Sequence, residues 1–305
     1  MYDKKVNVVM SVYKPNIEYF KKQLISIDSQ TYENIEVLIW NDCPEETLDY
    51  EFIKSCIKRF DVKIFQAKEN LGYVKAFEKL TDIANAEYIA YCDQDDIWLS
   101  DKIEIQVASL VENKAVLATC DRMIIDENDN ITVNSIRHDK KEREACWSSG
   151  DDITKYAIFS CYSIGMATVV RADIAKACIP FPLETAHDKW LTMCSSYMGK
   201  VCFVDKTLVK YRRHSSNESG VLSKITSKEE YYKERVDCAY RLTDIFLKKF
   251  PDFKDKYEVS EFAKARYEKN IFKIFKYRYL SPTIAKAEIV LKFMPNFIFR
   301  RMIAR

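Results

Sequence analysis

Tyr88-Ile89-Ala90-Tyr91-Cys92-Asp93-Gln94-Asp95-Asp96-Ile97-Trp98 is five apolar or aromatic residues followed at once by an acidic cluster. A short apolar run that stops at polar residues reads as a buried strand. Three carboxylates within the four residues Asp93 to Asp96 are costly at the end of such a strand unless a cation offsets them. Mg²⁺ or Mn²⁺ takes oxygen ligands, commonly one or two carboxylates together with substrate phosphates. The plainer reading is a strand-end turn in which Asp96 caps the next helix.

Upstream the chain repeats one alternation. Val6–Val12, Ile35–Trp40 and Val62–Phe65 read as strands, with helices over Ile17–Ser29, Phe52–Phe60 and Gly72–Ala84 between them and the quoted run. Strand-helix alternation predicts a mostly parallel sheet with helices on both faces. Ser11, Tyr13, Asn41-Asp42 and Asp93 all stand at strand ends. In open parallel sheets ligands bind beyond the carboxyl ends of the strands, so these residues are expected to share one cleft.

Downstream, Lys102–Glu112 reads as a helix, Val116–Cys120 and Met123–Ile125 as two strands, and Arg137–Asp152 as a mobile polar loop. Ile158–Val170 reads as a strand pair, Ala186–Tyr197 as a helix and Val201–Tyr211 as a strand. Beyond Ser223 the pattern is helical over Lys228–Phe250, Lys254–Tyr279 and Pro282–Arg305, with Pro251 and Pro282 as breaks. The expected organisation is an α/β domain over 1–222 and a helical region over 223–305.

The net charge of +2 on 305 residues conceals an asymmetry. Lys264 to Arg305 holds 11 Lys or Arg against 2 Glu, a net of +9, so the other 263 residues carry −7. The basic end alternates with aromatics (Phe272, Phe275, Tyr279, Phe293, Phe297, Phe299), a pattern suited to an anionic membrane surface. The alternative is a helical face packed on the rest of the chain or on a homodimer partner. The acidic body argues against nucleic acid as a partner. No stretch reaches the ~18 uncharged apolar residues of a membrane span, and Val6–Val12 reads as a strand rather than a secretory signal. The 10 cysteines show no Cys-x-x-Cys spacing. Cys92, Cys161 and Cys178 sit in apolar runs, as reduced thiols of a cytosolic protein do.

Taken in order, Val8-Val9-Met10-Ser11-Val12-Tyr13, Asn41-Asp42, Asn70-Leu71-Gly72-Tyr73, Cys92 to Trp98, His187-Asp188-Lys189-Trp190 and Tyr211-Arg212-Arg213-His214 form a specific series. Residues 5–220 resemble, through it, the family-2 glycosyltransferases, inverting enzymes of the GT-A fold, and most of all the bacterial rhamnosyltransferase-type members of surface-polysaccharide assembly such as capsule and O-antigen.

The resemblance implies roles. Ser11 and Tyr13 would hold the donor base, Asp42 would accept from a pyrimidine N–H, and Asn70, Gly72 and Lys75 would face the diphosphate. Asp93 would contact the ribose, Asp95 and His214 would ligate Mg²⁺ or Mn²⁺ in the manner of a DXD motif, and Arg212 or Arg213 would meet phosphate. Asp188 would be the catalytic base, with Gly165, His187 and Trp190 on the acceptor side; Trp98 and Trp190 could stack on a sugar, burial being the commoner place for such aromatics. Lys189 stands where relatives often carry an aromatic, which leaves the acceptor open. The implied partners are a nucleotide-diphosphate sugar (dTDP-rhamnose or a UDP-sugar) and a saccharide or lipid-linked acceptor at the inner face of the plasma membrane. The competing classes are a glycosyltransferase-like module without activity and a nucleotidyltransferase. The latter would want a glycine-rich phosphate loop, and Val8 to Pro15 holds no glycine.

Overall fold

The structure, a computed structural model, describes residues 3–140, 147–214 and 225–303. The chain forms two compact units: Met1–Asp152, Tyr162–Phe181 and Ala186–His214 make the first, and Ile153–Cys161, Pro182–Thr185 and Ser215–Arg305 the second.

The first unit begins with β1 (Val6–Val12), α1 (Ile17–Asp28), β2 (Ile35–Asn41), α2 (Tyr50–Cys56), β3 (Asp61–Gln66), α3 (Tyr73–Ile83) and β4 (Tyr88–Cys92). Then come β5 (Ile97–Trp98), α4 (Lys102–Asn113), β6 (Leu117–Ile125) and β7 (Ile131–Val133). A short helix α5 (Thr154–Ala157) of the second unit intervenes before β8 (Thr168–Arg171), α6 (Ala172–Ala177), α7 (His187–Met198) and β9 (Val201–Arg212). Among the described residues the strands form one nine-stranded sheet in the order β3-β2-β1-β4-β8-β6-β9-β5, with β7 beside β6.

β1 to β4 are mutually parallel, with Val12 opposite Asn41 and Met10 opposite Cys92. Their carboxyl ends are therefore level, which brings Tyr13, Asp42 and Asp93 to one sheet edge. Val6, Val8, Val9, Met10 and Val12 are buried although they alternate between faces, because helices cover both sides of the sheet. Burying each such side chain stabilises by roughly 1.5–3 kcal/mol.

The opposite edge is held by a polar device. Asn7 donates to Glu36 Oε2 at 2.9 Å and accepts the N–H groups of Asn85 and Ala86. Burial alone would raise the Glu36 pKa, but Lys5 at 2.7 Å, Lys63 at 2.6 Å and Asn7 outweigh it and hold it at about 2. A depressed carboxylate stabilises the fold fully above its unfolded pKa, and the contribution disappears as pH falls from about 4.5 to about 2. Glu36→Gln is thus expected to lower the stability at pH 7 by about 2–3 kcal/mol and to match the parent near pH 2. Melting curves across that range check this; a constant difference between the two proteins would refute the linkage.

Several elements differ from the sequence expectation. α2 stops at Cys56, capped by Asp49, and Ile57 is already extended. The two strands expected over Val116–Ile125 are one strand, β6, whose pairing with β9 slips at Asp121, so the polar pair Asp121-Arg122 marks a bulge and not a gap. Ile158–Val170 is no strand pair: Gly165–Ala167 is a single 3₁₀ turn that feeds β8. The stretch Arg137–Asp152 lies partly outside the described residues, and within it Trp147 is buried, its Nε1 donating to Tyr162 O at 3.0 Å. Cys161 is exposed, unlike Cys92 and Cys178.

The second unit adds α8 (Lys228–Tyr231), a π-helical turn Tyr232–Asp237, α9 (Cys238–Lys249), α10 (Lys256–Tyr267), α11 (Ile271–Lys276), α12 (Pro282–Phe293) and α13 (Asn296–Ile303). The long helix expected over Lys254–Tyr279 is broken after α10, where Lys269 adopts φ 56°. Its interior includes Ile225, Tyr231, Val236, Leu291 and Phe299, beside a buried ion pair in which Arg266 Nη2 meets Glu288 Oε1 at 2.8 Å. The boundary expected at 222 lies outside the described residues. Residues 153–161, expected in the first domain, join the second unit because Phe159 packs edge-on to Phe262 at 4.8 Å and Ser160 hydrogen-bonds Ser281.

Candidate active site

The acidic segment is fixed from both sides. Tyr13 donates its N–H to Gln94 Oε1 at 2.9 Å and accepts from Gln94 Nε2 at 3.2 Å. Gln94, which carries no signal of a role in the sequence, so locks the end of β1 to the acid loop and leaves the Tyr13 ring 45% exposed at the cleft. Ser11 is half-buried one residue before the end of β1. From the other side, the Arg212 N–H donates to Asp96 Oδ1 at 2.9 Å and Arg212 Nε to Asp95 O at 2.8 Å.

Arg212 itself is fully buried. Its guanidinium lies 4.2 Å over the Tyr19 ring and 2.6 Å from Asp129 Oδ1. This corrects its expected place on the donor phosphate: it is a strut beneath the acid loop. Asp96 is not a helix cap either, since Asp101 precedes α4 and Asp96 is fully buried on the Arg212 amide, where burial and the charges of Asp95 and Asp93 push its pKa well up.

Asp95 and His214 come together as expected, with His214 Nε2 2.8 Å from Asp95 Oδ2 and the His214 ring 5.7 Å from that of Tyr19. Asp93 lies in the same pocket of charge. Burial, then the negative charges of Asp95 and Asp188, push its pKa up to about 7. That effect requires Asp188, far along the chain, to be near the acid loop.

Asp188 is in the first turn of α7. Its Oδ1 accepts the Lys189 N–H at 2.6 Å and its Oδ2 the Gly165 N–H at 3.1 Å. Gly165 adjoins His187 so closely that a Cβ there would lie 2.7 Å from His187 Nε2. His187 is buried, stacked on Phe77 at 4.0 Å, and burial lowers its pKa to about 4, so the imidazole is neutral at pH 7. Trp190 is 1% exposed with its Nε1 on Cys178 O, and Trp98 is 2% exposed beneath Lys102 Nζ. Both are core residues, the commoner place for such aromatics, so Trp190 leaves the acceptor side on which it was expected.

On the β2 side, Asp42 is buried and accepts from Leu71 N–H at 3.0 Å, Gly72 N–H at 2.8 Å and Trp40 Nε1 at 3.2 Å. It ties the end of β2 to the turn that opens α3, a task the sequence did not disclose. Gly72 has φ 75°, which L-residues with a Cβ resist, and Asn70 Oδ1 also accepts its N–H. Lys75 was expected to reach the diphosphate; its amine instead donates to Glu78 and to Phe181 O at 2.7 Å.

Among the described residues no three His, Cys, Asp or Glu side chains form a ready-made metal cage. The Asp95–His214 pair fits a divalent cation that draws its remaining ligands from water and substrate phosphate, as Mg²⁺ commonly does.

Comparison with known proteins adds the family. The family described as Glycosyl transferase family 2 matches residues 7–175. An uncharacterized glycosyltransferase of Rickettsia bellii is 33% identical over 256 residues, which is 82% of this chain and 34% of that protein. An uncharacterized glycosyltransferase of Methanocaldococcus jannaschii is 28% identical over 232 residues, 74% of this chain and 76% of the relative. This chain thus spans about a third of the first relative's length and about three quarters of the second's. Among solved structures, Staphylococcus aureus TarS 1-349 in complex with UDP-GlcNAc superposes with a TM-score of 0.60 at 15% identity, covering 93% of this chain and 83% of that one. The same protein in complex with UDP gives 0.59 at 16%. At such identities the likeness shows the fold alone, which is GT-A.

Proposed function

This chain belongs to glycosyl transferase family 2, and from that premise we propose that it moves a sugar, with inversion, from a nucleotide-diphosphate donor to a saccharide or lipid-linked saccharide, assisted by Mg²⁺ or Mn²⁺. The observation that carries this reading is the meeting of Asp93, Asp95 and Asp188 at one sheet edge, close enough for Asp95 and Asp188 to raise the pKa of Asp93. Concentrated negative charge of this kind suits a site that receives a cation and a diphosphate together.

Asp188, held by the amides of Gly165 and Lys189, is the base. It takes the proton of the acceptor hydroxyl as that oxygen bonds the anomeric carbon from the face opposite the diphosphate. The bond to the diphosphate oxygen breaks through an oxocarbenium-like state, and the nucleoside diphosphate leaves with its electron pair. Asp95 and His214 would hold the metal, which when bound supplies charge neutralisation for the diphosphate. Tyr13 offers its exposed ring to the nucleobase of the donor. The UDP and UDP-GlcNAc held by TarS favour a uridine donor; dTDP-rhamnose, suggested by the sequence motifs, is the second reading. The family match leaves the nucleotidyltransferase alternative without support. Release of UDP or dTDP from a nucleotide-sugar panel, with Mg²⁺ or Mn²⁺ and again in EDTA, tests the proposal. Turnover undiminished by EDTA would remove the metal from it.

The acceptor's setting is proposed from the second unit. No helix among the described residues is long and apolar enough to cross a membrane. Yet Phe272 (83%), Phe293 (69%) and Phe297 (73%) are exposed close to Lys276, Arg300 and Arg301 in sequence. Phe299, counted in the same face from sequence, is buried instead. We take the exposed set as a peripheral contact with anionic lipid at the inner face of the plasma membrane. Truncation at Pro282 would strip Glu288 from buried Arg266, so the informative variant is Phe293→Ser with Phe297→Ser. It is expected to cut partition into phosphatidylserine vesicles about tenfold or more, in a co-sedimentation assay; unchanged partition would exclude lipid as the partner of this face.

A further inference from the structure

The turn that joins β6 to β7 bears on the cation site, although it supplies none of the ligands named above. Asp126 closes the turn. Its N–H donates to Asn130 O at 3.0 Å, and its carboxylate accepts the N–H groups of Asn128 and Asn130, each at 2.9 Å. Within the turn Asp129 adopts φ 68°, in the left-handed region. Aspartate enters that region more readily than most residues, but the conformation is still costly and persists where its surroundings enforce it. Here both neighbours are cations. Asp129 pairs with Lys22 of α1 on one side, and its Oδ1 lies 2.6 Å from Arg212 Nη1 on the other.

The two pairs differ in weight. The Lys22 side chain is 40% exposed, and a surface ion pair of that kind contributes little. The Arg212 side chain is fully buried, where loss of a carboxylate partner is felt far more strongly. Arg212 is tied along its whole length: its N–H to Asp96 Oδ1, its Nε to Asp95 O, and its Nη1 also to Asp126 O at 3.1 Å. The N–H of Arg213 donates to Ile125 O at 2.9 Å, so the end of β9 is fixed to the end of β6. One residue further stands His214, on Asp95 Oδ2.

Tyr19 of α1 backs the same assembly. The Arg212 guanidinium lies 4.2 Å over its ring, the His214 ring is 5.7 Å away, and its hydroxyl donates to Glu127 O in the turn at 3.3 Å. The turn thus grips Arg212, and Arg212 sets the backbone of Asp95 against the strand end that carries His214. The charge of Arg212 already reaches Asp96. Removing the Asp129 carboxylate throws more of that charge onto the acid loop, where a divalent cation would have to compete with it.

We propose that Asp129 is a positioning residue for the cation, holding Arg212 so that Asp95 and His214 face a single ion. The proposal rests on the reading of Asp95 and His214 as the cation's ligands and adds the residue that sets them. The test is Mn²⁺ binding to the full chain in the presence of UDP, followed by the EPR signal of the free ion and by pulsed EPR of the bound one. A coordinated imidazole nitrogen modulates the echo of bound Mn²⁺. The parent is expected to show that modulation and His214→Gln to lack it. Asp129→Asn, which tolerates the same backbone, is expected to weaken Mn²⁺ binding about tenfold, the lower end of what groups that orient metal ligands contribute, and to lose most of the modulation. Asp129→Glu keeps the charge and displaces it by one methylene, so it should show a smaller loss of both; if Asp129→Asn does not fold, this variant decides. Lys22→Gln is expected to bind Mn²⁺ within about twofold of the parent, with the modulation intact. UDP binding in EDTA should be the same throughout. Unchanged affinity and modulation in both Asp129 variants would overturn the proposal, and so would weakened affinity with full modulation, which would make Asp129 only a distant charge. A parent that binds no Mn²⁺, or binds it without nitrogen modulation, would instead count against Asp95 and His214 as the ligands and take the proposal with it, so the two failures are separable.

Discussion

Asp188→Asn is expected to lower kcat by about 10²–10⁴-fold, the usual contribution of a general base, with donor binding little changed. The reasoning is geometric. Asp188 presents two oxygens, each fixed by one backbone N–H, from Gly165 and Lys189. The carboxylate is therefore oriented before any substrate arrives. Asparagine has nearly the same shape and no basic oxygen. It also offers one acceptor where two N–H groups need one, so a stability loss of order 1 kcal/mol should accompany the change. That loss is small enough for the variant to fold, and melting curves separate it from the catalytic effect. UDP affinity measured by calorimetry should be within about twofold of the parent. A variant that kept more than about a tenth of the parent kcat would show that another group takes the proton.

The placement of this base was legible only in part. The alternation of apolar runs and helices in Val6 to Cys92 follows from local periodicity, and the parallel sheet with its level strand ends came with it. So did the gathering of Tyr13, Asp42 and Asp93, because a parallel sheet puts successive strand ends on one edge. What failed were readings that needed a side chain's direction. Lys75 looked like a phosphate ligand at the start of a helix, but Glu78 sits one turn on and Phe181 O arrives from far along the chain, and together they hold the amine. Arg212 and Trp190 were expected in the cleft; both point inward, where Asp129 and Cys178 O satisfy them.

Gln94 shows the converse. Its amide makes both bonds of the bridge to Tyr13, yet a glutamine between acids carries no sequence signal for it. The bulge in β6 was mistaken for a break because Asp121-Arg122 interrupts an apolar run, and only pairing with β9 reveals that the strand continues. Long-range hydrogen bonds decide such cases, and a single sequence does not display them.

The second large effect is expected at Asp95. Asp95→Asn should reduce turnover by about 10²–10³-fold, the scale of removing a preorganised electrostatic group from a developing anion. Unlike the Asp188 variant, it should also weaken donor binding, because the metal and the diphosphate are held together. His214→Gln should act in the same direction and less strongly, since an imidazole brings no negative charge to the cation. Asp95 has a second tie, the carbonyl that accepts from Arg212 Nε, and that bond survives in Asn. The acid loop should then keep its path, so a loss of activity reports on the carboxylate rather than on a collapsed loop. The decisive measurement is metal titration of turnover. The Asn variant should need a higher Mn²⁺ concentration for half-maximal rate and should show weaker UDP binding in Mn²⁺ but not in EDTA. A variant whose metal dependence matched the parent's would move the cation away from Asp95 and leave the pair with His214 as a hydrogen bond that fixes the end of β9.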